Sequence, residues 1–143
     1  GMSGVTALPE NFMDTSGLTG APAARMFAYA CNGMSGVTAL PEGFMNTSGL
    51  TGAPAANMFS YACNGMSGVT NAYVFTFSSN ITFTAANVNT VTSGWSGMSN
   101  WKGQVLWGTN VLALAIPIPN VDNNAFANCV NMPNYGDIHA NWK

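Results

Sequence analysis

The sequence predicts a repeat solenoid of short strands and short helices, carrying a β-rich insert and closed by a C-terminal cap. Three observations predict it. Residues 1–32 read GMSGVTALPENFMDTSGLTGAPAARMFAYACN and residues 33–64 read GMSGVTALPEGFMNTSGLTGAPAANMFSYACN, identical at 28 of 32 positions, and a third start, GMSGVT, stands at Gly65. A fixed period of this length marks stacked units that bury surface between neighbours. Past Asn71 the composition turns aromatic, β-branched and rich in Thr and Asn. Charged residues make up only 6% of the chain, against about 25% in ordinary soluble domains, so the surface is polar but nearly uncharged. The expected organisation is tandem repeats over 1–70, a β-rich insert or tip over 71–124, and a degenerate repeat and cap over 125–143.

Each copy holds an internal echo: Ser3-Gly4-Val5-Thr6-Ala7-Leu8-Pro9 returns as Ser16-Gly17-Leu18-Thr19-Gly20-Ala21-Pro22. The Gly-bounded residues before each proline suit a brief strand, and each proline suits the first position of a short helix. After Pro22, Ala23, Met26, Phe27 and Ala30 fall at i, i+3, i+4 and i+7, as do Ala55, Met58, Phe59 and Ala62, which predicts two turns of helix with one apolar stripe. Pro9 to Met13 has room for a single turn, of the 3₁₀ type. Four exchanges separate the copies, Asn11 to Gly43, Asp14 to Asn46, Arg25 to Asn57 and Ala28 to Ser60, and they mark the solvent face. In the insert, alternation of Tyr73, Phe75 and Phe77, then of Ile81 and Phe83, predicts strands near 72–77, 80–85, 88–93, 103–107 and 111–116 in an antiparallel meander. Ile116-Pro117-Ile118-Pro119 reads as an edge or a connector to the cap.

The string Phe27, Cys31, Met34, Val37, Thr38, Leu40, Pro41 resembles the degenerate leucine-rich repeats of bacterial surface proteins, the BspA-like repeats, and Phe126, Cys129, Met132 and Tyr135 echo part of it. The resemblance covers residues 1–70 well and 125–143 loosely, and departs in having two sub-units per period and few leucines. It implies a surface-exposed, non-enzymatic, leucine-rich-repeat-like solenoid used in adhesion. The chain also resembles the tip of a trimeric phage-tail-fibre-like adhesin, which would make it a homotrimer.

Composition excludes several partners. Arg25, Lys102 and Lys143 are the only basic residues and the net charge is −2, so there is no electrostatic footprint for nucleic acid or an anionic membrane. The longest apolar run, Val111 to Pro119, is too short to span a bilayer. Gly1 falls on a repeat boundary with no initiator Met, so the chain reads as a piece of a longer one, and the lack of a leading signal segment carries no weight. Cys31 and Cys63 occupy equivalent positions and predict a ladder of buried thiols, with a strained Cys31–Cys63 bridge as the alternative. No cysteine has a CxxC partner, and the nearest His to any of them is His139, ten residues beyond Cys129, so neither a metal nor a cofactor is expected. That single histidine and five scattered carboxylates, Glu10, Asp14, Glu42, Asp122 and Asp137, give catalysis little to work with.

Trp95, Trp101 and Trp107 recur every six residues, beside Lys102. Exposed indoles among Asn, Ser and Lys are how a weakly charged protein stacks on sugar rings, which makes Trp95, Trp101, Lys102 and Trp107 the candidate ligand-binding residues. The competing reading has them filling the β core or a subunit contact. Asn46-Thr47-Ser48 and Asn80-Ile81-Thr82 match the N-glycosylation triplet. The expected function is an extracellular or cell-surface adhesin module, with the repeats as scaffold and the β-rich region as a recognition tip for a glycan or another surface polymer. The alternative is a structural fibre or filament subunit in which the β-rich region mediates self-association.

Overall fold

Alternate amides of the tandem copies point in two directions, and that alternation decides how the chain folds. In the computed structural model, which describes residues 2–117 and 121–143, the N–H groups of Arg25, Phe27, Tyr29, Cys31 and Gly33 donate across to the carbonyls of Ala56, Met58, Ser60, Ala62 and Asn64, at 2.8–3.0 Å. The amides between them, on Met26, Ala28, Ala30, Asn32 and Met34, each donate three residues back along their own chain, at 3.0–3.3 Å. A helix would use every amide locally, and a strand in mid-sheet would use them all sideways. This segment divides them equally and becomes a ribbon of consecutive turns. Left-handed backbone at Arg25 and Tyr29 (φ 60° and 58°), repeated at Asn57 and Tyr61 (55° and 56°), interrupts any helix.

The same alternation continues beyond the copied sequence. Phe59, Tyr61, Cys63 and Gly65 donate to Thr90, Thr92, Gly94 and Ser96, then Ser93, Trp95 and Gly97 donate to Asn123, Ala125 and Ala127, and Phe126 donates to Trp142. Each ribbon therefore satisfies half of its amides on the next one.

Regular elements are few. Strand β1 (Val74–Phe77) pairs in parallel with β2 (Gln104–Trp107), Val74 opposite Gln104. Strand β2 then turns through Gly108-Thr109 into β3 (Asn110–Val111), antiparallel, with Leu106 opposite Val111. Gly108 takes φ 58° at the first turn position, where hairpin turns of two residues favour glycine. Helix α1 (Leu112–Ala115) follows at once and ends at Ile116, ahead of Pro117. Single 3₁₀ turns form at Val88–Val91 and Ala140–Trp142.

These observations correct the expected fold class. No strand-and-helix unit recurs with the copies, and the architecture among the described residues is one three-stranded mixed sheet, a four-residue α-helix and turns; it is not a leucine-rich-repeat-like solenoid. The helices expected to open at Pro9 and Pro22 are turns, because half the amides they need are bonded to the neighbouring copy. The antiparallel meander is replaced by a parallel pair with one short hairpin. The expected strand 80–85 is reduced to a bridge between Gly52 and Ile81, 88–93 is largely 3₁₀, and 111–116 becomes the end of β3 and α1. Of the expected connector, Ile116 is buried and Pro117 exposed, while Ile118 and Pro119 lie outside the described residues. Ser60 departs from the expected solvent face: it is buried, and its hydroxyl donates to Asn57 Oδ1 at 3.3 Å.

One hydrophobic core runs through all three expected regions, from Phe27 to Trp142. Its spine is aromatic. Phe27 stacks on Phe59 (5.2 Å between ring centroids), Phe59 meets Phe77 (4.6 Å), Phe77 meets Trp95 (6.1 Å), Trp95 stacks on Phe126 (5.3 Å), and Phe126 meets Trp142 (5.9 Å). Such pairs each add about 0.5–1.5 kcal/mol beyond the area they bury.

Candidate functional site

Trp95 and Trp101 lie in the core and offer no face to a ligand, with relative exposures of 1% and 0%. Trp95 sits inside the aromatic spine between Phe77 and Phe126, and Trp101 packs edge-on against Phe75 (5.5 Å) while its Nε1 donates to the Tyr73 carbonyl at 2.8 Å. The reason is positional. Gly97-Met98-Ser99 follows Gly65-Met66-Ser67 at the 32-residue period, so Trp95 stands where Cys31 and Cys63 stand, and Trp101 where Val37 and Val69 stand; all four of those are fully buried. The three indoles do not share a face.

Trp107 is half-buried at the end of β2 and its Nε1 donates to the Ile81 carbonyl at 2.7 Å. It borders a hollow of about 390 Å³ with Ser79 and the Gly108–Asn110 turn. Lys102 is exposed but does not line that hollow. Of the four expected site residues, the structure brings none together in one concavity.

A different concavity sits on the turn ribbons. Arg25, Ala28, Tyr29, Asn57, Ser60, Tyr61 and Thr92 line a groove of about 400 Å³. It draws on equivalent positions of successive ribbons: Arg25 beside Asn57, Ala28 beside Ser60 and Thr92, Tyr29 beside Tyr61. The tyrosine rings are nearly parallel, 5.0 Å apart with 6° between their planes, and Tyr29 is 59% exposed. Their left-handed backbone is strained, by about 1–3 kcal/mol for a non-glycine residue. It is held in place because each tyrosine N–H is bonded to the next ribbon, Tyr29 to Ser60 O and Tyr61 to Thr92 O, both at 3.0 Å.

The groove offers aromatic surface together with a guanidinium, a carboxamide and two hydroxyls. The Ser60 hydroxyl is turned to Asn57 and the Thr92 hydroxyl to the Asn89 carbonyl at 2.6 Å, so the polar groups are already oriented. The tyrosines fall off the apolar stripe, so its spacing does not single them out. The available signal was that an aromatic residue, kept in both copies, had no place in the predicted core.

Other candidate groups are engaged structurally. His139 Nδ1 accepts from the Asn141 N–H at 3.1 Å and so caps the last 3₁₀ turn. Cys31, Cys63 and Cys129 are free, buried thiols, and the Cys129 Sγ donates to the Trp95 carbonyl at 3.0 Å. Burial pushes Cys31 up to about 11 and Cys129 up to about 12, and pushes Cys63, which also faces the other two, well above the ordinary thiol value. Thiols held neutral in this way are poor nucleophiles near neutral pH. Asn46 Oδ1 accepts from the Ser48 N–H and Thr47 is fully buried, whereas Asn80 and Thr82 of the other glycosylation triplet are exposed.

Among the described residues no three His, Cys, Asp or Glu side chains gather to hold a metal ion, and no helix is long and apolar enough to cross a membrane. No protein-family model, curated protein or solved structure matches the chain.

Proposed function

We propose that the chain is an extracellular or cell-surface adhesin module that binds a glycan in the groove lined by Tyr29 and Tyr61. A sugar presents an apolar ring face surrounded by hydroxyls, and a nearly neutral protein recognises it by stacking an aromatic ring on that face and hydrogen-bonding the rim. The observation that carries this reading is the parallel tyrosine pair, Tyr29 exposed and Tyr61 half-buried, flanked by Arg25, Asn57, Ser60 and Thr92. It transfers recognition from the β-rich region to the turn ribbons, because Trp95 and Trp101 are buried. The reading is of a binding protein rather than an enzyme.

The test is a glycan array probed with the parent chain and with Tyr29→Ala, Tyr61→Ala and Trp107→Ala. A glycan bound by the parent should be lost at least tenfold in both tyrosine variants and kept by Trp107→Ala. Equal binding by all four proteins would refute the assignment.

A second reading, a fibre or filament subunit that self-associates through the β-rich region, is supported by Val74, Leu114 and Val121, large apolar side chains there that are 41–55% exposed. Sedimentation equilibrium distinguishes the two: a trimer or larger species dispersed by Leu114→Glu favours the second.

A further inference from the structure

We propose that the face of residues 1–32 is a docking surface for one more unit of the same 32-residue sequence. Glycine positions give the first argument. A Cβ built at Gly36 would lie 2.7 Å from the carbonyl oxygens of both Ser3 and Val5; one at Gly49 would collide with the carbonyls of Ser16 and Leu18, and one at Gly68 with those of Ser35 and Val37. In each case glycine is there because the backbone of the preceding unit lies against it. Gly4 and Gly17 are the equivalent glycines of residues 1–32, and nothing lies within 4 Å of a Cβ at either. Residues 1–32 thus keep the same two cradles, open.

The hydrogen bonds give the second. Ala56, Met58, Ser60 and Ala62 accept amides from the preceding unit, whereas their equivalents, the carbonyls of Ala24, Met26, Ala28 and Ala30, accept no backbone amide among the described residues. The apolar side chains agree. Leu50 and Met34 are each 2% exposed; Leu18 and Met2, in the same positions, are 51% and 54% exposed.

The identity of the occupant follows from what covers residues 33–64, which is residues 1–32: a ribbon whose odd-numbered amides point at the carbonyls, with Tyr29 laid on Tyr61. The far end of a second molecule does not supply such amides, since those of Asn141, Trp142 and Lys143 are bonded to His139 and Ala140 within the last turn. Docking of a unit would place a third tyrosine on Tyr29 and lengthen the groove, although the proposal stands independently of what the groove binds.

The test uses the full chain and a labelled synthetic peptide of residues 1–32 with Cys31→Ser, followed by fluorescence anisotropy. Saturable 1:1 binding is expected, with a scrambled peptide not binding. The double variant Gly4→Ala/Gly17→Ala of the full chain, whose melting temperature should match the parent because those sites are open, should weaken binding at least tenfold. As a second measurement, a chain with an extra unit joined ahead of Gly1 should protect the odd-numbered amides of that unit from hydrogen exchange. Undiminished binding by the double variant overturns the proposal. So does free exchange in the joined unit, or a dimer of the chain alone that Leu18→Asp disperses, which would give the face to a second molecule.

Discussion

Residues 1–32 and 33–64 are almost the same sequence in two different surroundings. Phe44 is 1% exposed and Phe12 half-buried; Met58 is fully buried and Met26 is not; Tyr61 is half-buried and Tyr29 is 59% exposed. The four exchanges do not explain this, since none falls at those positions. The difference is that one copy is covered by its twin and the other is not. In a protein of this kind the cost of a substitution is set by what lies on the residue more than by which residue it is.

The largest effect should come from breaking the aromatic spine. Phe59 lies between Phe27 and Phe77, and Phe59→Ala should destabilise by about 3–5 kcal/mol in urea unfolding. Phe44→Ala, at 1% exposure, should likewise lose more than Phe12→Ala, whose ring is half-buried; equal losses would dissolve the contrast between the copies. Next is the glycine pair. Gly49→Ala forces a methyl into the carbonyls of Ser16 and Leu18 and should cost about 1–3 kcal/mol, whereas Gly17→Ala meets open space and should be neutral or slightly stabilising, both read from thermal melts.

A smaller effect concerns pH. Burial pushes Cys31 from 9.0 to about 11, Cys129 from 9.0 to about 12 and Tyr73, whose hydroxyl donates to the Phe44 carbonyl at 2.8 Å, from 10.0 to about 12. For each, the unfolded chain loses its proton at a lower pH than the folded one. The stability this represents is fully present below about pH 9 and falls as pH rises towards 12. The melting temperature should be level from pH 7 to 8.5 and decline above 9, and less steeply in Cys129→Ala than in the parent. The smallest effect is Tyr29→Ala, which should change stability by no more than about 0.5 kcal/mol, because its ring is mostly in water.

Much of the interior was legible from the repeated residues alone. Phe27, Cys31, Met34, Val37 and Leu40 are buried as their pattern implied, and the thiols are free. What was not legible was the backbone. Ala23, Met26, Phe27 and Ala30 have helical spacing, but a side-chain stripe does not say where amides go, and here every second one crosses to the next ribbon. Ile81 and Phe83 alternate with exposed Thr82 as a strand would, yet only Ile81 forms a bridge. Trp95 and Trp101 fill the core, one of the two readings that their six-residue spacing leaves open; the period of 32 that Gly97-Met98-Ser99 continues decides between them, since it puts both at core positions. The tyrosine groove depends on left-handed backbone at Tyr29 and Tyr61, which nothing in their side chains announces.

The most direct test compares one substitution in two places. Leu50 and Leu18 are the same residue in the same local sequence, 2% and 51% exposed. Urea unfolding of Leu50→Ala should show a loss of about 2–5 kcal/mol and that of Leu18→Ala no more than about 0.5 kcal/mol. Equal losses at the two positions would contradict the account, since they would mean that residues 1–32 are covered to the same extent as the copy beneath them.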